Sequence, residues 1–298
     1  MSTVNRVSTV DLTGPSGLRK FKDKLAFVAV CCAFALAVIP LVTLLYTVIK
    51  NGAKRFDMEF FTHSMNAIGG RDAGGGAYHA IIGTIEQVGL ASVISIPIGV
   101  LTAVYLVEYG GNRRLAKVVT FFVDVMTGVP SIVSGLFVFA FWIALLGFEY
   151  MGFAGSMALS VLMLPTVVRA TEEMLKLVPN DLREASYALG VPRWRTICFV
   201  VLPTAFTGII TGVMLAIARV MGETAPLLMT VFVTTAINNS PFKGPQMALP
   251  LFVWDQAQLP QQVAVDRAWA GALTLILFVM LLNLAARLIA RLRKPVSR

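Results

Sequence analysis

The chain has 298 residues, of which 57% are hydrophobic and 14% charged, with a formal net charge of +9. Soluble domains carry about 25% charged residues, so this composition excludes a soluble domain large enough to act on its own. It also excludes nucleic-acid binding, which needs basic residues on one soluble face with aromatic partners, whereas here they gather between apolar runs.

The elements follow in chain order. A tail over residues 1–24 ends in Arg19, Lys20, Lys22 and Lys24, and an apolar run over 25–49 comes next. Its 25 uncharged residues exceed the about 7 to 15 of a signal-peptide core, so an uncleaved first span is expected. Cys31 and Cys32 lie inside it as small hydrophobes. The segment beyond holds His63 and His79 but no cysteine, which argues against a zinc site. It also carries Gly69, Gly70, Gly74, Gly75 and Gly76. A phosphate-cradling loop needs Gly-Lys-Ser/Thr, and Gly-Lys is absent from the sequence. A flexible loop is expected, and any ATP that powers the protein is hydrolysed on another chain.

Spans two to four are expected over 81–107, 118–146 and 150–168, each long enough for a hydrocarbon core of about 30 Å. Glu86 and Asp124 fall near span ends and read as structural. In the third span Pro130 removes a helix N–H and crowds the preceding turn, freeing backbone around Met126 and Thr127. This is either an ordinary kink or a cavity lining made by Thr127, Gly128 and Ser131. Arg169 closes the fourth span, as an interfacial anchor or as a receiver for a leaving anion.

Residues 177–203 read LVPNDLREASYALGVPRWRTICFVVLP. Pro179 ends one helix, Asn180 or Asp181 can cap another, and Gly190 and Pro192 stop it after about nine residues. Leu182, Ala185, Ser186 and Leu189 share a face while Arg183 and Glu184 point elsewhere. Helices this short are marginal alone, so the segment either lies on its own spans or docks a partner.

A fifth span is expected over 197–221, with Arg219 roughly 24 Å and Glu223 roughly 30 Å beyond Pro203. Ala205, Gly208, Gly212, Ala216, Arg219 and Glu223 fall within about 80° at 100° per residue, and the Gly-xxx-Gly spacing lets another helix approach. The charges form either a structural i,i+4 ion pair or an anion path, since arginine stays protonated and grips oxyanions bidentately. Residues 224–239 read as a broken or re-entrant helix, and 268–290 as the sixth span before a tail over 291–298. Of 25 lysines and arginines, 18 fall in the N-terminal tail, the alternate loops and the stretch from Arg287 onward, which places both termini in the cytoplasm.

Glu184-Ala185-Ser186, Gly190 four residues on, Ile197 and Leu202-Pro203 resemble the EAA loop of ABC-importer permeases, with Ser186 in place of the second alanine. The runs TGVPSIVSGLF (127–137), LPTVVRATEEMLKLVPNDLREASYALG (164–190) and ARVMGETAPLL (218–228) resemble the phosphate-specific transporter permeases of that family over about 76–290. The resemblance implies an all-α, type I importer permease of six transmembrane helices in a bacterial inner membrane. It implies a coupling helix in which Glu184, Ala185, Ser186, Gly190 and Pro203 belong to the ATPase-facing loop. It implies Arg219 and Glu223 on the phosphate route; Arg169, from its place at the span end, and Thr127 and Ser131, from the break at Pro130, are the further path candidates. The implied partners are a second homologous permease, an ATP-binding subunit dimer carrying ATP and magnesium, and an extracytoplasmic phosphate-binding protein, with no cofactor or metal on this chain. Import of sulfate or molybdate is the near alternative. A secondary anion transporter would be expected to show inverted repeats, and an intramembrane enzyme a nucleophile–base pair or metal ligands; neither pattern is evident.

Overall fold

The computed structural model describes residues 17–292, so most of the expected tails at 1–24 and 291–298 lies outside the described residues. Contacts divide the chain at Ile49. The first unit is essentially α1 (Gly17–Gly52), in which the Thr43 hydroxyl donates to Ile39 O at 2.8 Å beside Pro40. The second unit holds everything from Lys50 onward.

In that unit α2 (Met58–Thr62) is capped by Asp57, which accepts from Phe60 N at 2.8 Å. Helix α3 (Tyr78–Val104) runs on into a π-helical segment, Tyr105–Gly110. It packs most extensively on α6 (Gly152–Lys176). Helix α6 is the hub: 61% of its most apolar window is buried, against 28% for the spans built on α3, α9 and α12. Close approach to α3 needs Gly99, where a Cβ would lie 2.7 Å from Val167.

Among the described residues five helices are long and apolar enough to cross a membrane, and a bent pair, taken as one broken span, makes six. That pair corrects the expected third span. Helix α4 (Arg114–Thr127) stops at Gly128, and α5 (Ser131–Val138, continued as a π segment Phe139–Leu145) leaves at 106°. Pro130 is the extended residue ahead of α5, with φ −59° and ψ 140°; the chain before a proline avoids the helical region, so the helix breaks rather than kinks. The backbone expected to be free is bonded, since Gly128 N donates to Val125 O and Val129 N to Met126 O.

Three other boundaries move. The fourth span runs to Lys176, and the sixth, α12 (Gln262–Leu292), begins six residues early. The fifth begins at Arg193: α8 (Arg193–Thr196), a π segment (Ile197–Val201) and α9 (Leu202–Met221) form one run. Pro203 therefore lies within a helix, and the wider turn ahead of it accommodates a residue that cannot donate to the turn before. Beyond α9, only α10 (Ala225–Thr230) of the expected 224–239 helix forms; the chain then returns without regular structure to α11 (Leu249–Ala257).

The glycine-rich segment is tied down rather than flexible. Arg267 of α12 is fully buried and donates to Gly69 O (3.3 Å), Asp72 O (2.9 Å), Gly74 O (2.8 Å) and Gln256 Oε1 (3.0 Å). Arg55 donates to Gly75 O at 2.8 Å, and Glu59 accepts from Gly75 N at 3.1 Å.

Candidate coupling surface and anion path

Helix α7 (Asn180–Ala188) stands where a short helix is expected, with Pro179 rather than Asn180 or Asp181 at its N-cap position. Gly190 ends the loop at φ +75°, and an added Cβ would meet nothing within 4 Å. Its need for glycine is conformational, not steric. Two residues turn opposite to expectation. Ser186 is buried and shares a 2.8 Å hydrogen bond with the Thr196 hydroxyl, which gives the serine at the second alanine position a structural purpose. Arg183 points inward, donating from Nε and Nη2 to Glu108 Oε1 at 3.1 and 2.9 Å, and to Val178 O and Leu175 O at 2.7 and 2.9 Å.

With one face anchored, the other is bare. Glu184 and Ala185 are exposed, as are Leu182 and, at 83%, Leu189. Tyr187 and Trp194 add aromatic surface beside them. Exposed apolar side chains gathered on one short helix mark a contact surface.

The small-residue face of α9 meets a helix, and that helix is α6. A Cβ on Gly208 would lie 2.2 Å from Met174 Sδ, and one on Gly212 would lie 2.5 Å from Ala170 Cβ. Because the two helices run antiparallel in this register, Arg169 lies level with residues near Gly212, and Arg219 is roughly 10 Å further along the axis. The two arginines occupy different depths of one α6–α9 pair.

Their surroundings differ. Arg219 is exposed, and among the described residues its side chain makes no ion pair. Glu223 lies past the end of α9 at Met221, so the i,i+4 geometry is not formed. Arg169 does not close the fourth span, which continues for two further turns. Its guanidinium is held by Asp124 of α4 and, at 2.6 Å, by Glu172, which also accepts from Lys176 at 2.7 Å.

Thr127 and Ser131 flank the α4–α5 corner rather than line a kink. Thr127 donates to Val123 O at 2.9 Å. Helix α5 packs on α10, where a Cβ on Gly135 would lie 2.6 Å from Pro226 Cα. The segments 127–137 and 218–228, far apart in sequence, thus join in one place, bringing the corner and the α9–α10 turn that holds Glu223 into one neighbourhood. Sequence reasoning gave no role to Glu108 or Arg267. For Glu108 the available signal was a lone charge at the end of an apolar stretch, which in a membrane needs a partner; Arg267, next to Asp266, carried no such signal.

A family model described as binding-protein-dependent transport system inner membrane component matches residues 95–295. The chain is 49% identical over 272 residues to the Phosphate transport system permease protein PstA 1 of Mycobacterium tuberculosis, covering 91% of this chain and 89% of that protein. It is 46% identical to PstA of Mycobacterium leprae, covering 95% and 94%, and 40% identical to PstA of Pasteurella multocida, covering 91% and 95%. Among solved structures, a bacterial alginate ABC transporter chain superposes with TM-score 0.66 at 14% identity, covering 92% and 96%. A chain of the MetNI methionine ABC transporter does so with TM-score 0.59 at 21% identity, covering 74% and 94%. With an all-helical fold shared with ABC-importer permeases and relatives matched along nearly their full length, the chain belongs to the binding-protein-dependent transport system inner membrane components, within the PstA permeases.

Proposed function

We propose that this chain is the transmembrane permease subunit of an ATP-driven importer of inorganic phosphate. It forms half of the translocation path in a bacterial inner membrane, with both termini cytoplasmic, beside a second, PstC-like permease. A PstB-like ATPase dimer, carrying ATP and magnesium, docks on the bare face of α7, and a PstS-like phosphate-binding protein delivers substrate from outside. The observation that carries this reading is the two-faced α7, anchored through Arg183 and Ser186 and bare at Leu182, Ala185 and Leu189. The phosphate specificity follows from the relatives' names.

Along the path, the unpaired Arg219 is the donor that an entering phosphate meets, its forked guanidinium suited to two phosphate oxygens. Arg169, deeper by about two turns, is already occupied by carboxylates at Asp124 and Glu172, and phosphate displaces one of them to pass. Glu223, Thr127 and Ser131 border the entrance. The test is uptake by the four-component complex in proteoliposomes, driven by internal ATP, with labelled phosphate against labelled sulfate. ATP-dependent accumulation of phosphate but not sulfate is expected; uptake that favours sulfate or ignores phosphate would overturn the substrate assignment.

A further inference from the structure

Glu108 is 4% exposed at the end of a helical run, residues 78–110, that contains no lysine or arginine. Among the described residues its ion-pair partner comes from the coupling loop. Arg183 of α7 grips its carboxylate through two nitrogens, at 3.1 and 2.9 Å. Arg193, the first residue of α8, donates to its backbone carbonyl and lies over the neighbouring Tyr109 ring at 5.0 Å. One turn of the α3 run is therefore clamped from both arms of the loop. Two guanidinium nitrogens converge on one oxygen of the buried carboxylate, a charge-assisted contact, and taking away one partner would leave a buried charge unpaired.

Both helical runs that meet the loop carry a π-helical segment at the junction, 105–110 around Glu108 and 197–201 after α8. Such segments interrupt the regular ladder and are the softer points of a long helix. Above the clamp, α3 is rigidly seated on α6, with Ser95 donating to Ser160 O at 3.3 Å and Gly99 against Val167.

We infer that Glu108 is a positioning residue for transport: through the Arg183–Glu108–Arg193 clamp, movement of α7 drives α3 as well as the fourth and fifth spans, to which the loop is covalently joined. The inference rests on the reading of α7 as the ATPase-docking helix. It gives the permease a third driven arm: two are covalent, through α6 and through α8 and α9, and the third is ionic, through Glu108.

The test uses the complete transporter in proteoliposomes, with Glu108→Gln, Arg183→Gln and the double variant, and reads ATPase copurification, ATP hydrolysed and phosphate taken up. ATPase binding and hydrolysis are expected to persist while phosphate moved per ATP falls roughly tenfold in each single variant, within the usual range of coupling between sites. The double variant should fall no further, because both changes break one link. An unchanged ratio in either single variant, or a double variant whose loss is the product of the two, overturns the clamp. If Glu108→Gln yields no monodisperse complex, Arg183→Lys, which keeps the charge and loses the fork, carries the same expectation and the same overturning result. Gly190→Val probes docking separately: a complex that keeps both ATPase and uptake with that change overturns docking at α7, whereas an unchanged ratio with docking intact overturns the clamp alone.

Discussion

Arg219 and Arg169 show how one side chain takes two roles at two depths of the same helix pair. A guanidinium cannot shed its charge in a protein, and one within a span is costly unless it faces a partner, water or a passing anion. Arg169 has two carboxylates; Arg219 has none among the described residues. On the proposed path this makes Arg219 the residue whose charge acts on substrate. A charged hydrogen bond contributes about 1.5–3 kcal/mol, so Arg219→Gln should lower phosphate uptake by roughly 10- to 100-fold. The ATPase and the second permease should still copurify, since the side chain is exposed and holds nothing in place. Normal uptake in this variant would assign Arg219 a structural role. Spacing along span five located this arginine, because the small residues beside it repeat at helical period. It could not locate Glu223, because a helix that ends at Met221 removes the i,i+4 relation.

Among the elements, hydropathy gave the number of spans and missed their direction. An apolar run reports length and solvent, and both halves of the α4–α5 pair satisfy that, but the 106° corner depends on a proline and its neighbours. Helix α11 escaped notice because nine residues beginning Leu-Pro carry no distinctive period. The contacts that seat these elements join residues such as Glu108 and Arg183, 75 positions apart, and no local pattern encodes them. The glycine-rich segment is the clearest reversal. Its composition suggests freedom, yet glycine also lets bare backbone carbonyls approach a side chain closely, and here a buried arginine collects three of them. Arg267→Met should leave those carbonyls unpaired. At about 1 kcal/mol for each lost bond, the destabilisation comes to roughly 3 kcal/mol, and it should be local. Hydrogen exchange of residues 69–76 should quicken by at least about tenfold while α6 stays protected. Exchange that does not change would mean that Arg55 and Glu59 suffice to hold the loop.

At the scale of the whole molecule, orientation decides whether the proposed mechanism is available. An ATPase can dock on α7 only if that loop faces the cytoplasm, and a binding protein can approach the glycine-rich segment only if that lies outside. The asymmetry of lysine and arginine, 18 of 25 in the N-terminal tail, the alternate loops that include α7 and the stretch from Arg287 onward, predicts this orientation. The three cysteines, Cys31, Cys32 and Cys198, are free, so a variant with serine at all three gives a background for single-cysteine labelling. Arg71 and Leu189 are exposed on the two loops in question. In intact cells a membrane-impermeant maleimide should label Arg71→Cys and spare Leu189→Cys, which should react only after permeabilisation. The reverse pattern would invert the chain and remove α7 from any cytoplasmic ATPase. The same Leu189→Cys reports on docking: a bound ATPase should shield it, because Leu189 is the most exposed apolar side chain on the loop. Labelling that ignores the ATPase would mean that the bare face of α7 is not where force enters the membrane.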